Sequence, residues 1–183
     1  MKKYINIFIK EIVPITVGIL IALFINNWNE QRKDEKFINQ ILISINEELT
    51  ETSENIVKQM PGQKILIDTL DTYLLDDKIT LFKAVILGNG IHIPTIKINS
   101  WKAVSNSKIE LLEYDLVSSL ANIEEQKELL QIQTENITNY LFTNAEETGK
   151  YKKLVLKLMM RDIVLNVTAL EKEIEKTEKI INK

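Results

Sequence analysis

The sequence predicts an all-α protein in which an N-terminal transmembrane helix continues into an antiparallel bundle of about four long helices. Three observations carry that expectation. Residues 12–25 form a run of 14 positions without a charge, three later segments place apolar residues at alternating steps of 4 and 3, and Gly and Pro fall mainly between the segments. At 183 residues, 45% apolar and 27% charged, the chain can build one core plus an anchor but not two substantial domains. The expected division is residues 1–28 as anchor and 29–183 as bundle, with an irregular segment at 88–113.

The uncharged run reads IVPITVGILIALFI and contains ten Ile, Leu, Val or Phe residues, which favour insertion by roughly 3–6 kcal/mol. As a helix it covers about 21 Å of a ~30 Å hydrocarbon core. Extension to Trp28, with Lys10 snorkelling outward, completes a span over about 12–28. Lys10, Glu11, Asn26, Asn27 and Trp28 are the expected membrane-interface residues. A cleaved signal peptide would end in small residues, whereas Asn26-Asn27-Trp28-Asn29 follows here. Runs of this length are also found in buried core helices, yet this one is apolar on all faces at an extreme terminus with an aromatic at its edge. Gly18 and Ala22 stack four residues apart as a candidate helix-dimer face, and Pro14 is expected to kink the first turn. Lys2, Lys3 and Lys10 precede the span, while Arg32, Lys33 and Lys36 follow it beside Glu30, Asp34 and Glu35. That balance favours the N-terminus inside and the body outside.

The stretch KEIVPITVGILIALFINNWNEQRK resembles the start of a family of single-pass bacterial membrane proteins with a domain of unknown function, whose signature is close to GILIAL-x-INNWNE. The matching positions are Glu11, Ile12, 18–23 and 25–30. Lys10 stands where the family usually has Gly, and Phe24 where it often has Gln. The resemblance covers about 25 residues. It implies one N-terminal membrane helix followed by a helical domain, and it supplies no catalytic residues.

Beyond Trp28 the first seam steps through Ile38, Leu42, Ile45, Leu49, Thr52 and Ile56. The second takes Leu116, Leu120, Ile123, Lys127, Leu130, Thr134, Ile137 and Leu141, and the third Leu156, Met160, Ile163, Val167, Leu170, Ile174, Thr177 and Ile181. Such repeats, flanked by Glu and Lys, are the pattern of coiled-coil-like helices packed at shallow angles. Expected helices are 31–59, 116–147 and 150–183, with a less regular one from Gln63 to about Leu87 using Leu66, Leu70, Tyr73 and Leu74. Pro61-Gly62, Gly88-Asn89-Gly90 with Pro94, and Gly149 are the expected breaks. The first helix would continue from the anchor as a stalk, and the last would return Lys179 and Lys183 toward acidic headgroups. In the irregular segment, Ile91, Ile93, Ile96 and Ile98 alternate as in an extended chain. Ser100 is a plausible cap for a short helix carrying Trp101 and Val104.

Composition removes much chemistry. The chain has no Cys and one His, which excludes disulfides, thiolate metal sites and cysteine nucleophiles. Its 29 Ile, 16 Asn and 21 Lys against two Arg fit an AT-rich bacterial genome. After the first 28 residues the balance is 20 bases to 25 acids, a poor match to nucleic acid. Ser105 and Lys108 form Ser-x-x-Lys without the partner motifs of that chemistry. Asn136 and Asn166 open glycosylation-type triplets within helices. The acid pairs Glu47-Glu48, Asp76-Asp77, Glu124-Glu125 and Glu146-Glu147 point about 100° apart on a helix, as solvated faces rather than metal cages. No cofactor, metal or catalytic residue is expected, and the chain is not expected to be an enzyme. His92 and Trp101 remain as a candidate loop site. The expected partners are the lipid bilayer and a second copy or a partner membrane protein. The expected function is a membrane-anchored interaction or scaffold protein of the bacterial inner membrane. The alternatives are an extracytoplasmic sensor bundle signalling through a partner, and an enzyme or binding module built on the loop near His92.

Overall fold

A computed structural model describes residues 2–183, with side chains described for Lys10 and from residue 12 onward. The interface candidate Glu11 and the leading residues 2–9 therefore lie outside the described side chains. The described residues form helices α1 (Lys2–Thr72), α2 (Leu81–Leu87), α3 (Asn99–Ser105), α4 (Tyr114–Thr143) and α5 (Lys150–Ile181), with a 3-10 turn at Ile109–Leu111 and no strand among them. The chain divides into two units, Met1–Ile41 and Leu42–Lys183.

The first unit consists of the leading part of α1. This is the helix, among the described residues, long and apolar enough to cross a membrane: its most apolar stretch has a mean hydropathy of 1.6 and no buried position. Residues 12–25 are exposed throughout, with Phe24 at 73%. An apolar surface open on every side suits a helix that crosses a membrane.

The second unit is held by three seams. Ile45, Leu49, Ile56, Leu66 and Leu70 of α1 are buried, as are Leu116, Leu120, Ile123, Leu130, Ile137 and Leu141 of α4 and Leu156, Met160, Ile163, Val167, Leu170 and Ile174 of α5. Each such side chain contributes roughly 1.5–3 kcal/mol on burial. Polar contacts set the directions. Thr50 donates to Glu178 Oε1 at 3.2 Å, and Lys157 pairs with Asp71, so α5 runs antiparallel to α1. Ser119 meets Thr177 at 2.8 Å at one end of α4, and the Tyr140 hydroxyl donates to the Lys152 carbonyl at 3.2 Å at the other, so α4 and α5 are also antiparallel.

Two expected boundaries are corrected. Pro61-Gly62 does not end a helix: α1 runs unbroken through it to Thr72. Ile45, Leu49, Thr52, Ile56, Gln63, Leu66 and Leu70 are all buried and keep one 4/3 phase across the proline, so a single straight face serves both halves. Pro61 withholds one N–H, and the carbonyl that loses it belongs to Val57, which is 62% exposed and open to water. The expected helix from Gln63 to Leu87 is correspondingly divided. Its first part belongs to α1, residues 73–80 form a turn, and only α2 follows.

That turn is closed by local and distant bonds. Asp76 Oδ1 accepts from Lys78 N–H at 2.8 Å, and the Thr80 hydroxyl caps α2 by accepting from Lys83 N–H at 3.2 Å. Leu81 and Phe82 N–H donate to the carbonyls of Glu147 and Ala145 at 2.8 and 3.0 Å, which fastens the turn to the α4–α5 connection. The Lys153 ammonium, fully buried, donates to the Asp76 carbonyl at 2.6 Å. Beyond α2 the chain reverses on a Schellman motif: Asn89 has φ 64°, Gly90 N–H bonds the Val85 carbonyl at 2.8 Å, and Asn89 N–H bonds that of Ile86 at 3.1 Å. The return leg, made of α2, an extended strap at 91–98 and α3, replaces the fourth long helix.

Two outcomes follow. Restoring the missing donor with Pro61→Ala should stabilise the protein by about 1–3 kcal/mol in denaturant unfolding; a neutral or destabilising result would mean that Pro61 is a true joint. Glu173 gives a pH signature. Burial alone would raise its carboxyl, but hydrogen bonds from Lys176, Ser119 and Asn122 hold it below the ordinary range. A carboxyl lowered on folding stabilises fully above its unfolded value, about 4.3, and that contribution is lost as pH falls through the lower folded value. Glu173→Gln should therefore flatten the acid limb of stability below about pH 4.3 and leave its slope near neutrality unchanged.

Candidate functional site

The return leg lies on a polar stripe of α1. Glu48, Thr52, Asn55, Gln59 and Gln63 step by 4, 3, 4 and 4 along that helix, and each holds a group of the leg. Gln63 Nε2 donates to the His92 carbonyl at 2.9 Å. Thr95 N–H donates to Asn55 Oδ1 at 2.9 Å, and Lys97 N–H to Thr52 Oγ1 at 3.0 Å. Ser100 N–H and hydroxyl each bond the Glu48 carboxylate at 3.1 Å. Lys97 also pairs with Glu51, which raises the Lys97 ammonium above its ordinary value through that hydrogen bond and charge. From His92 to Ser100 the leg passes roughly 20 Å of α1, too far for a helix of that length. Its burial alternates as an extended chain requires: Pro94, Ile96 and Ile98 are buried, Thr95, Lys97 and Asn99 exposed.

The expected cap is corrected by this arrangement. Ser100 lies inside α3, whose N-cap is Ile98 without a side-chain bond. The capping acceptor comes from α1 as the Glu48 carboxylate, which also suits the positive end of a helix.

His92 and Trp101 occupy different places on the leg. The His92 ring sits over Gly62, where an added Cβ would lie 2.4 Å from ring carbons. Its Nδ1 faces Gln59 Oε1 and its Nε2 faces the Asn89 carbonyl, each at 3.0 Å. A carbonyl only accepts, so Nε2 carries a proton, and a neutral ring then requires the Gln59 amide to present its NH₂ to Nδ1. Neither nitrogen faces a nucleophile or an acid. Trp101 is 3% exposed and donates from Nε1 to Glu124 Oε2 at 2.7 Å, joining α3 to α4. The structure thus makes His92 and Trp101 two fasteners of one leg, and it does not converge them on a common site.

One member of three acid pairs turns inward. Glu48 takes Ser100 and Glu124 takes Trp101 while Glu47 and Glu125 are exposed, as helix neighbours 100° apart allow; Asp76 closes its turn and Asp77 is exposed. Among the described residues no group of three His, Cys, Asp or Glu is placed to hold a metal ion. In the first unit, Arg32 lies over the Trp28 ring at 5.4 Å, a cation–π pair one turn apart. Lys10, Asn26 and Asn27 are exposed, and a Cβ at Gly18 would meet nothing within 4 Å, with Ala22 exposed one turn on. Lys172, Lys176 and Lys179 share a stripe of α5 and, with Lys183 just beyond the helix, line an open cleft of about 640 Å³ beside Tyr114 and Asp115.

The residues sequence reasoning missed are Glu48, Asn55, Gln59, Gln63 and Gly62. The detectable signal was phase: Thr52 and Gln63 occupy seam positions as polar residues, the mark of a seam that binds something other than apolar side chains. No known protein family, curated protein or solved structure matches the chain.

Gly62 provides the test of this geometry. Gly62→Ala should destabilise by about 1–3 kcal/mol by pushing the ring off the helix. In a His92→Ala background the same change should become neutral or stabilising by up to about 1 kcal/mol, because only the helix preference of Ala remains. An equal cost in both backgrounds, measured by a double-mutant cycle, would remove the ring contact from the account.

Proposed function

We propose that the protein is a single-pass, membrane-anchored interaction protein of a bacterial inner membrane, with the N-terminus inside and the second unit presented outside. The observation that carries this reading is the pairing of two surfaces in one chain. Residues 12–25 leave an apolar helix surface open on all sides, while the second unit, whose seams are filled, keeps Tyr151, Val155, Leu158 and Leu165 of α5 exposed. These four fall at steps of 4, 3 and 7, a stripe opposite the core-facing one. Filled seams with an outer apolar stripe suit partner binding better than ligand sensing. The Arg32–Trp28 pair and the Asn residues around it suit a headgroup boundary. The resemblance at residues 11–30 supports the same placement.

Alkaline extraction of membranes should leave the full chain in the pellet, whereas a chain lacking residues 1–28 should move to the soluble fraction with its helical content intact. Cross-linking in membranes followed by mass spectrometry should recover a partner or a second copy, and recovery of neither would remove the interaction reading.

A further inference from the structure

α5 carries two seams, and the bundle fills one. The inner seam, from Leu156 to Thr177, is buried. The outer row starts at Tyr151 and returns at alternating steps of 4 and 3 as far as Lys179, and each of its nine positions is exposed. Its first half is apolar: Tyr151 and Leu165 are 77% and 69% exposed, with Val155 and Leu158 exposed between them and Asp162 as the one interruption. Its last three positions are Lys172, Lys176 and Lys179, and Lys183 extends the row just beyond the helix. A helix that keeps the 4/3 step on two opposite sides is patterned to lie between neighbours. The strap is fastened to α1 and Trp101 of α3 to α4, so the return leg leaves this side of α5 open. α4 widens the open surface: Asn136 shares a groove with Asp162, and Ile132 and Leu129, at steps of 4 and 3 before Asn136, are exposed.

Charge decides between occupants. Lys176 pairs with Glu173 at 2.8 Å, while Lys172, Lys179 and Lys183 make no ion pair among the described residues. Asp115 and Glu175 also line the lysine cleft, but Glu173 and Glu175 flank the row rather than belong to it. A helix laid along the row therefore meets only cations at the last contact positions. A second copy of α5 fits this order poorly. Laid parallel, it would set the lysines against their own counterparts and Asp162 against itself; laid antiparallel along its length, it would set the lysines against Tyr151, Val155 and Leu158. A helix with apolar residues over one half of its face and carboxylates over the other matches both ends.

We propose that the outer row of α5 receives an amphipathic helix of a partner protein, with its apolar side chains on the stretch from Tyr151 to Leu165 and its carboxylates on Lys172, Lys176 and Lys179. The inference rests on the interaction reading above and names the chemistry of the partner. Apolar packing supplies the affinity, and the lysine end fixes which way the partner lies along the row.

The test selects helices as long as the row, from a displayed library randomised on one face, against the full chain in detergent micelles. Selected helices should place apolar residues at 4/3 steps over one half of that face and Asp or Glu over the other. Leu158→Glu or Leu165→Glu should weaken a selected helix by about tenfold or more, with the circular dichroism of the chain unchanged because both side chains are exposed. Lys172→Glu combined with Lys179→Glu should weaken it by about tenfold and strengthen by as much a helix whose acids are replaced by Lys. The proposal is overturned if no helix is selected, if selected helices lack the acidic half, or if these substitutions leave binding unchanged. It is overturned in favour of a second copy if a photo-cross-linker at Leu165 joins only copies of this chain in membranes. It is overturned in favour of a lipid surface if phosphatidylglycerol in the micelles, and not phosphatidylcholine, displaces the selected helix. A partner cross-linked in membranes through another surface, together with any of these failures, keeps the interaction reading and removes the α5 row from it.

Discussion

A chain that leaves the helix inside a helical bundle must find partners for backbone groups that no longer bond to themselves. Here α1 meets that requirement with side chains. Thr52, Asn55 and Gln63 hold the strap's backbone, Glu48 holds Ser100 in the first turn of α3, and Gln59 faces the His92 ring. α1 must stay straight through Pro61 to bring Gln63 into line with Thr52. Gly62 must lack a side chain for His92 to approach. The 73–80 turn must be pinned by Lys153 and by the α4–α5 connection so that the leg enters at the right level.

Much of the architecture was legible in residue spacing. The seams of α4 and α5 are buried at the positions their repeat indicates, because Ile and Leu at 4/3 steps have few other ways to leave water. The break at residues 88–90 was legible because Asn and Gly tolerate the left-handed backbone found at Asn89 and Gly90, and Gly149 does mark the start of α5, as its N-cap. Pro61-Gly62 misled because a local signal competed with a longer one. The dipeptide suggests a turn, yet the seam holds its phase from Ile45 to Leu70, and phase kept over seven turns outweighs one missing hydrogen bond. The polar stripe was hidden by chemistry that has two uses: Asn, Gln and Thr on a helix solvate a surface or hold a backbone, and only the opposing chain decides which. His92 and Trp101 stood out as rare residues, and the partners they take, Gln59 and Asn89 for one and Glu124 for the other, were not legible in spacing.

The two units solve unlike problems with the same element. In the first, Ile, Leu and Val face outward on a helix long and apolar enough to cross a membrane. In the second, the same residue types face inward, and the outward positions of α1 carry Glu, Lys and Asn. Trp28 with Arg32 marks where one pattern gives way to the other along the chain.

The side-chain rungs have a consequence for how such a joint can change over time. In a β-sheet the bonds between neighbours are made by backbone, which no substitution can remove except proline, so the ladder is nearly indifferent to sequence. The strap is held by groups that single codons specify. Exchanging Asn55 or Thr52 for an apolar residue deletes one rung and leaves the others, so the grip on the return leg can be loosened or tightened in steps while the seams behind it stay as they are.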